Sequence, residues 1–320
     1  MGRVLITTRS VAGCEKAVQM LRDNGHEIII HIGKGNMEED EFANAVIGAD
    51  ALIVGVDPVT RQVINAGIPS LKIISRNGVG YNNVDWEYAK EKGIAVTITP
   101  GASAVSVSEL ALGMMFTAAR HICEQNENIK NMEWKRQMGF ELTGKTLGII
   151  GCGSIGAEVA IRAAALGMRV LAYDICPSQT IKESSAFRYS NLSELVSQAD
   201  IITLHLPVTD STYGMVNRKF LSKVKRGTVL INTARGKLVD EYDIAEALVD
   251  GALGYYATDT LSEEPARTEN PLLSSPNTLI TPHCGAYTKE AVERCSIMVA
   301  EEVNWVLKGE KPLHNIWEPI

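Results

Sequence analysis

Long apolar runs are missing from this sequence. No stretch of 18 or more of its 320 residues is uniformly hydrophobic, so no membrane-spanning helix is expected. The opening MGRVLITTRS has neither the extended greasy core nor the small-residue cleavage site of a secretory signal. Positive charge is also in short supply: Lys and Arg total 31 against 38 Asp and Glu, a formal net charge of -7. That balance leaves no general basic field for nucleic acid or an anionic membrane. The six cysteines, at 14, 123, 152, 176, 284 and 295, form no CxxC pair and no His/Cys cluster at zinc spacing. Neither a disulfide framework nor a metal site is expected, and the pattern suits a soluble protein of a reducing cytoplasm.

What is present is enough apolar material for large cores. The hydrophobic content is 45%, and at about 150 residues per domain the length argues for roughly two domains. Short β-branched runs at 3–8, 27–32, 51–56, 71–74 and 94–98 alternate with helix-length stretches near 15–24, 38–48, 60–66 and 84–92. That alternation predicts a parallel sheet with helices on its faces. Thr99-Pro100-Gly101 breaks it, and an apolar-rich segment over 105–130 reads as one long helix bridging two domains. A second series follows, with strands near 146–150, 169–173, 200–205, 228–232, 255–258 and 278–280. The fold class is therefore α/β, with two domains that each hold a parallel sheet. The last helical stretch, 289–308, places apolar residues at 292, 295, 299, 303 and 306, so one face should be buried.

The strongest local motif is Gly151-Cys-Gly153-Ser154-Ile155-Gly156, which runs from an apolar strand into an Ala-rich helix. Gly151 permits the tight turn, Gly153 lets backbone approach a pyrophosphate, and Gly156 lets the helix pack closely. The helix N-terminus then offers unpaired N–H groups to the anion. Asp174 closes the next strand; its carboxylate suits a ribose diol and repels a 2'-phosphate. Ile175, Cys176 and Pro177 supply no arginine, so NAD is expected rather than NADP.

Ligands of open parallel sheets sit beyond the carboxyl ends of the strands. In the second series those ends carry His205-Leu206-Pro207, Asn232-Thr-Ala234-Arg235-Gly236, Asp259 and Thr281-Pro-His283. His283 is the candidate proton donor and acceptor for a carbonyl–alcohol interconversion. Glu264 or Asp259 would hold its ring, and Arg235 offers a planar fork to a carboxylate and positive charge to a developing oxyanion. Cys284 reads as a small buried neighbour of His283 rather than a nucleophile. A second glycine cluster, Arg76-Asn-Gly78-Val79-Gly80-Tyr-Asn-Asn-Val-Asp85, is either a capped turn or a loop whose N–H groups hold an anion in the cleft between domains, with Arg76 nearby.

Taken together and in this order, the 78–85 segment, the 151–156 loop, Asn232 to Gly236, Asp259 with Glu264-Pro265, and Thr281-Pro-His283 resemble the D-isomer-specific 2-hydroxyacid dehydrogenases, most closely their phosphoglycerate dehydrogenase branch. The resemblance implies a Rossmann NAD-binding domain over 100–287 and a flavodoxin-like, discontinuous substrate domain over 1–99 and 288–320. It implies a catalytic set of Arg235, Glu264 and His283. It implies that Ser154, Ile155, Asp174, Leu206, Ala234 and Asp259 line the NAD site with the glycines, and that Val79 and Gly80 present N–H groups to the substrate carboxylate. Members of the family are usually homodimers built around the segment matching 105–145.

The animal-type phosphoglycerate dehydrogenases carry a phosphate-binding arginine in the segment matching 53–60, where this chain has Gly55. Arg76, Arg61, Lys135 or Arg136 would have to compensate, the last two from a partner subunit. The serine-binding extension of many relatives has no counterpart before residue 320, so feedback by serine is not expected. Phosphoglycerate is the leading expected substrate and an unphosphorylated 2-keto acid such as glyoxylate or hydroxypyruvate the alternative. A non-enzymatic reading, a dinucleotide-sensing binding protein similar to the C-terminal binding protein corepressors, lacks the peptide-recruiting tail it would need.

Overall fold

The structure, a computed structural model, describes residues 1–33, 37–177 and 181–317. Residues 318–320, part of the expected substrate domain, lie outside the described residues. The chain divides into two compact units. One comprises Met1–Ser103 and the stretch from Tyr287 onward; the other is Ala104–Ala286.

The first unit is built on β1 (Arg3–Ile6), β2 (Glu27–Ile30), β3 (Ala51–Val54), β4 (Ile73–Arg76) and β5 (Ala95–Thr97). All pairs are parallel in the order β2-β1-β3-β4-β5, the flavodoxin-like order. Strand β3 reads Ala-Leu-Ile-Val and is buried throughout, as a strand covered on both faces must be. The two-residue period sorts the core: Leu5, Leu52 and Ile74 pack with Phe42 and Val63 on one face. Val4, Ile6 and Ile53 pack on the other with Ala17, Leu21, Val299 and Val303. The terminal helix, Lys289–Leu307, thus completes this unit, which makes the unit discontinuous in sequence.

Two local expectations need correction. Strand β4 begins two residues later than the apolar run suggested, because Leu71 N–H still bonds to Gly67 O of the preceding helix and Ala51 pairs with Ile73. Arg76 consequently ends the strand at the carboxyl edge of the sheet. In the terminal helix Cys295, Val299 and Val303 are buried but Val292 and Val306 are only partly so; Glu302, fully buried, occupies that face as well. His314 Nδ1 lies 2.6 Å from Glu302 Oε1, and burial pushes the Glu302 carboxyl up.

The second unit holds β6 (Thr146–Ile150), β7 (Arg169–Tyr173), β8 (Phe187–Tyr189), β9 (Ile201–Leu204), β10 (Thr228–Asn232), β11 (Leu253–Thr258) and β12 (Thr278–Ile280). The parallel order is β12-β11-β10-β9-β6-β7-β8. Only β8 escaped the sequence pattern, since three edge residues carry too short a period to read. The direction of winding reverses between β6 and β9, and ligands of such sheets collect at that reversal.

The expected long helix over 105–130 is two helices, Ala104–Arg120 and Ile122–Lys130, broken at His121 in a left-handed conformation with φ 50°. The first is no bridge. Its Ala111, Met114, Met115 and Ala118, spaced at i, i+3, i+4 and i+7, are buried in the core of the second unit. The second has no buried residue, because the apolar stripe ends at Ala119 and the sequence Ile-Cys-Glu-Gln-Asn-Glu-Asn-Ile-Lys has no core face to offer. Phe140 N–H and the Gln125 amide take the Ala119 and Arg120 carbonyls that the break leaves free. Among the described residues no helix is long and apolar enough to cross a membrane.

Candidate active site

The turn after β6 has the geometry a pyrophosphate requires. Gly151 adopts φ 93°, and a Cβ there would press on the His205 carbonyl at the end of β9. Only glycine therefore fits between the two strands at the switch point. Gly156 lies against the Gly151 carbonyl with no room for a methyl group. Gly153 is different: a Cβ there would meet no protein atom within 4 Å, so its freedom from a side chain serves something outside the fold. It is also the N-cap of the helix Ser154–Ala165 and supplies no side-chain cap, which leaves the first-turn N–H groups facing that same space.

Other groups around the turn want a partner. Thr233 Oγ1 and His205 Nδ1 are buried and make no hydrogen bond among the described residues. The cost of such orphaned atoms is recovered when a polar ligand reaches them. His205 Nε2 is 3.0 Å from Thr203 Oγ1, and burial pushes the imidazole down to about 3, so it is neutral at physiological pH. Asp174 accepts the Cys152 N–H on one oxygen at 2.7 Å and the Cys176 N–H on the other at 2.8 Å. Those two bonds anchor the carboxylate beside the glycine loop. Ser154 is exposed, Ile155 and Leu206 are partly exposed, and Ala234 is buried at the end of β10. The residues present thus fit NAD.

Arg235, Glu264 and His283 come from the loops after three adjacent strands, β10, β11 and β12. Glu264 Oε2 sits 2.7 Å from His283 Nδ1, which leaves Nε2 for other chemistry. Of the two carboxylates considered for this role, Glu264 is therefore the one that meets the ring. Burial pushes the Glu264 carboxyl up, but the His283 hydrogen bond and charge, the Leu261 N–H and the Arg235 charge outweigh it, and the net shift is downward. Burial also pushes the Arg235 guanidinium down, partly offset by Glu264. Arg235 Nη1 donates to the Ala234 carbonyl at 2.6 Å.

Asp259 does something the motif did not disclose. It is 2% exposed, and its oxygens accept Thr281 Oγ–H at 2.5 Å, Cys284 N–H at 2.8 Å and Gly285 N–H at 2.7 Å. This carboxylate ties down the loop on which His283 stands with φ 50°. Cys284 is partly exposed rather than buried. Burial and the Asp259 charge push its thiol up, which opposes a nucleophilic role.

Arg76, Val79 and Gly80 belong to the other unit, in and after β4. Arg76 Nη1 donates to the Asn77 carbonyl at 2.8 Å, and its guanidinium lies over Gly78, whose φ is 141°. Gly78 O accepts the Thr99 N–H at 3.0 Å, which fixes the start of the loop, and Val79 is 36% exposed. His205 was legible from the sequence as a rim residue near enough to touch the cofactor, but Thr233 was not, and that each carries an orphaned atom is visible only once its neighbours are in place.

Comparison with known proteins settles the family. Residues 112–285 match the NAD-binding domain of the D-isomer-specific 2-hydroxyacid dehydrogenases. The chain belongs to that family. A D-3-phosphoglycerate dehydrogenase of Methanocaldococcus jannaschii is 40% identical over 300 residues, which cover 92% of this chain and 56% of that protein. The chain thus spans little more than half the length of that relative. A hydroxypyruvate reductase of Thermotoga maritima is 40% identical over 294 residues, 90% of this chain and 94% of that one. A crystal structure of a protein from Thermus thermophilus superimposes with a TM-score of 0.89 at 36% identity and covers 98% of this chain and 99% of its own. The family is one of NAD-dependent oxidoreductases acting on hydroxy and keto acids, and this chain carries its NAD-binding domain.

The glycine turn and the buried imidazole of this chain each set a measurable outcome. Gly153→Ala is expected to melt within a few degrees of the parent yet to bind NADH about tenfold or more weakly by fluorescence titration, since the added methyl enters only ligand space. Unchanged NADH affinity would remove the pyrophosphate from this turn. His205 governs acid stability in a defined window. Between about pH 6.5 and 3 the unfolded chain binds a proton there that the native ring refuses, so stability falls as pH drops. His205→Gln should reduce the stability lost between pH 7 and pH 4.5, by up to about 2 kcal/mol in denaturant melts. An unaltered loss contradicts the neutral ring.

Proposed function

We propose that this family member interconverts a small D-2-hydroxy acid and its 2-keto acid with NAD(H), and that Arg235, Glu264 and His283 carry the chemistry. The observation that supports this most directly is the 2.7 Å contact from Glu264 Oε2 to His283 Nδ1, with the Arg235 charge acting on the same carboxylate. When bound, the nicotinamide delivers or accepts the hydride. In reduction, protonated His283 gives the proton on Nε2 to the carbonyl oxygen and recovers it from solvent; in oxidation the neutral ring takes it from the hydroxyl. The Glu264 carboxylate, which the His283 hydrogen bond and charge help hold below its usual range, fixes the ring's orientation through Nδ1. Arg235 places positive charge beside the oxygen as it becomes alkoxide-like.

Of the two substrate readings, the unphosphorylated keto acid has the better support. Position 55 is a glycine next to Thr8 rather than an arginine. Of the four candidates to replace it, Arg61 is held by Asp85 at 2.8 Å, Lys135 by Glu133 at 2.8 Å, and Arg76 Nη1 by the Asn77 carbonyl at 2.8 Å, which leaves Arg136 alone among the described residues. Hydroxypyruvate or glyoxylate is therefore proposed ahead of a phosphorylated acid. A homodimer is proposed as well. Met132, Trp134 and Met138 are 92%, 82% and 94% exposed, and Ile122 and Ile129 of the helix without a buried face stand nearby in sequence.

NADH oxidation against glyoxylate, hydroxypyruvate and 3-phosphohydroxypyruvate tests the substrate. A larger kcat/KM is expected for a plain keto acid, whereas the reverse order returns the assignment to phosphoglycerate. No turnover on any of them would favour the nucleotide-sensing alternative. With the best substrate, His283→Ala and Arg235→Ala should each lose at least about a hundredfold in kcat while still binding NADH. Glu264→Gln should move the pH optimum of reduction towards acid; near-parental turnover or an unmoved profile contradicts the assigned roles. In sedimentation at micromolar concentration the parent should run as a dimer and Trp134→Glu/Met138→Glu as a smaller species, and a monomeric parent rejects the assembly.

A further inference from the structure

The connection from β11 to β12 is long, and residues 262–269 within it are all exposed. Hydrophobic burial cannot hold such a segment, yet it carries Glu264, whose position beside His283 must be kept within a few tenths of an ångström for a 2.7 Å contact. The fold holds it from beneath. At its entry the Leu261–Ser262 peptide rests directly on Gly236, where any Cβ would overlap the Leu261 carbonyl and the Ser262 nitrogen. The residue following Arg235 and the loop bearing Glu264 are thus in backbone contact.

Beside this contact lies a carboxylate that the chemistry so far leaves unused. Glu241, the first residue of the helix Glu241–Asp250, is 9% exposed. Its Oε1 accepts the Ser262 N–H at 2.8 Å, and its Oε2 accepts the Ser262 hydroxyl at 2.7 Å and the Asn270 amide at 2.9 Å. One buried anion therefore grips both ends of the exposed segment, and charge-assisted bonds of this kind are stronger than neutral ones. Asn270 cannot turn its amide around without loss, because its Oδ1 is bonded to the Leu272 N–H at 3.0 Å.

We propose that Glu241 is a positioning residue for the reaction: by clamping Ser262 and Asn270 it sets the loop that presents Glu264 to His283 and Arg235. The inference rests on the reading of Glu264 and His283 as a working pair. It distinguishes Glu241 from an ordinary helix-start acid, since the effect of its loss should be felt in catalysis through Glu264. In Glu241→Gln one oxygen can still accept the Ser262 N–H and the amide can donate to the Ser262 hydroxyl. The same amide then faces the Asn270 amide donor to donor, so the far end of the clamp is lost.

The experiment compares the parent, Glu241→Gln, Ser262→Ala and Glu264→Gln. It measures steady-state reduction of glyoxylate and hydroxypyruvate at saturating NADH from pH 5 to 9, NADH affinity, and thermal melting by circular dichroism. Glu241→Gln is expected to lower kcat by about tenfold or more, as small misplacements of a reacting group do. Its NADH affinity should stay within about twofold of the parent, and its pH optimum should move towards acid, as that of Glu264→Gln does. Ser262→Ala should move both in the same direction by less, which keeps the test decisive if the Glu241 variant folds poorly. Placed in the Glu264→Gln background, Glu241→Gln should add less than about twofold, since its target is already gone. If Glu264→Gln moves the profile while folded Glu241→Gln and Ser262→Ala keep parental kcat and optimum, Glu241 supports the fold alone and the proposal is overturned. If Glu264→Gln itself leaves the profile unmoved, the reading of the pair fails and this inference falls with it.

Discussion

Parallel pairing of all seven strands in the larger sheet is the constraint from which its chemistry follows. Because the strands share one direction, each delivers its carboxyl end to the same edge, and a residue just past one strand neighbours residues just past the next. Arg235, Glu264 and His283 are far apart along the chain, yet they stand after β10, β11 and β12, which are consecutive in the sheet. Glycine at 151 lets the turn after β6 lie against the end of β9, so the proposed nucleotide site opens on that edge too. An antiparallel strand anywhere in this set would send its loop to the opposite edge.

Edges of this kind are made of loops, and loops need holding. The unit uses carboxylates bonded mostly to backbone amides rather than to cations. Asp174 holds the glycine turn to the end of β7, Asp259 holds the loop of His283, and Glu241 holds the loop of Glu264. An amide-bonded carboxylate has fixed geometry and no long flexible partner, which suits a loop that must be placed closely. Glu264 stands apart from these three. Its principal partner is the His283 imidazole rather than a backbone amide.

The surface of the second unit follows the opposite logic. After the left-handed turn at His121, the chain leaves the core with a helix that buries nothing and a segment that exposes Trp134, Met132 and Met138. Apolar side chains held this far out of a core are costly in water, and the cost is relieved by covering them. The cofactor edge and this apolar segment have separate physical tasks within one unit.

The alternation of apolar runs and helices was legible because parallel strands buried on both faces must be continuously hydrophobic, and it yielded eleven of the twelve strands among the described residues. Glycine spacing with an acid at the next strand end was legible because each glycine answers a local steric demand. Errors arose at element boundaries, where backbone geometry overrode the residue pattern. The segment 105–130 reads as one helix, but the left-handed residue at His121 that divides it shows only in the backbone. The apolar run at 71 began early because the hydrogen bond from Leu71 to Gly67 cannot be seen in composition. Sequence alone determined the fold class and the nucleotide turn and named the candidate chemical groups, since these depend on residue type and near-neighbour spacing. Only the tertiary structure decided which carboxylate meets His283, that Asp259 and Glu241 act as anchors, and that Thr233 and His205 carry buried atoms without partners, because each depends on distances between residues far apart along the chain.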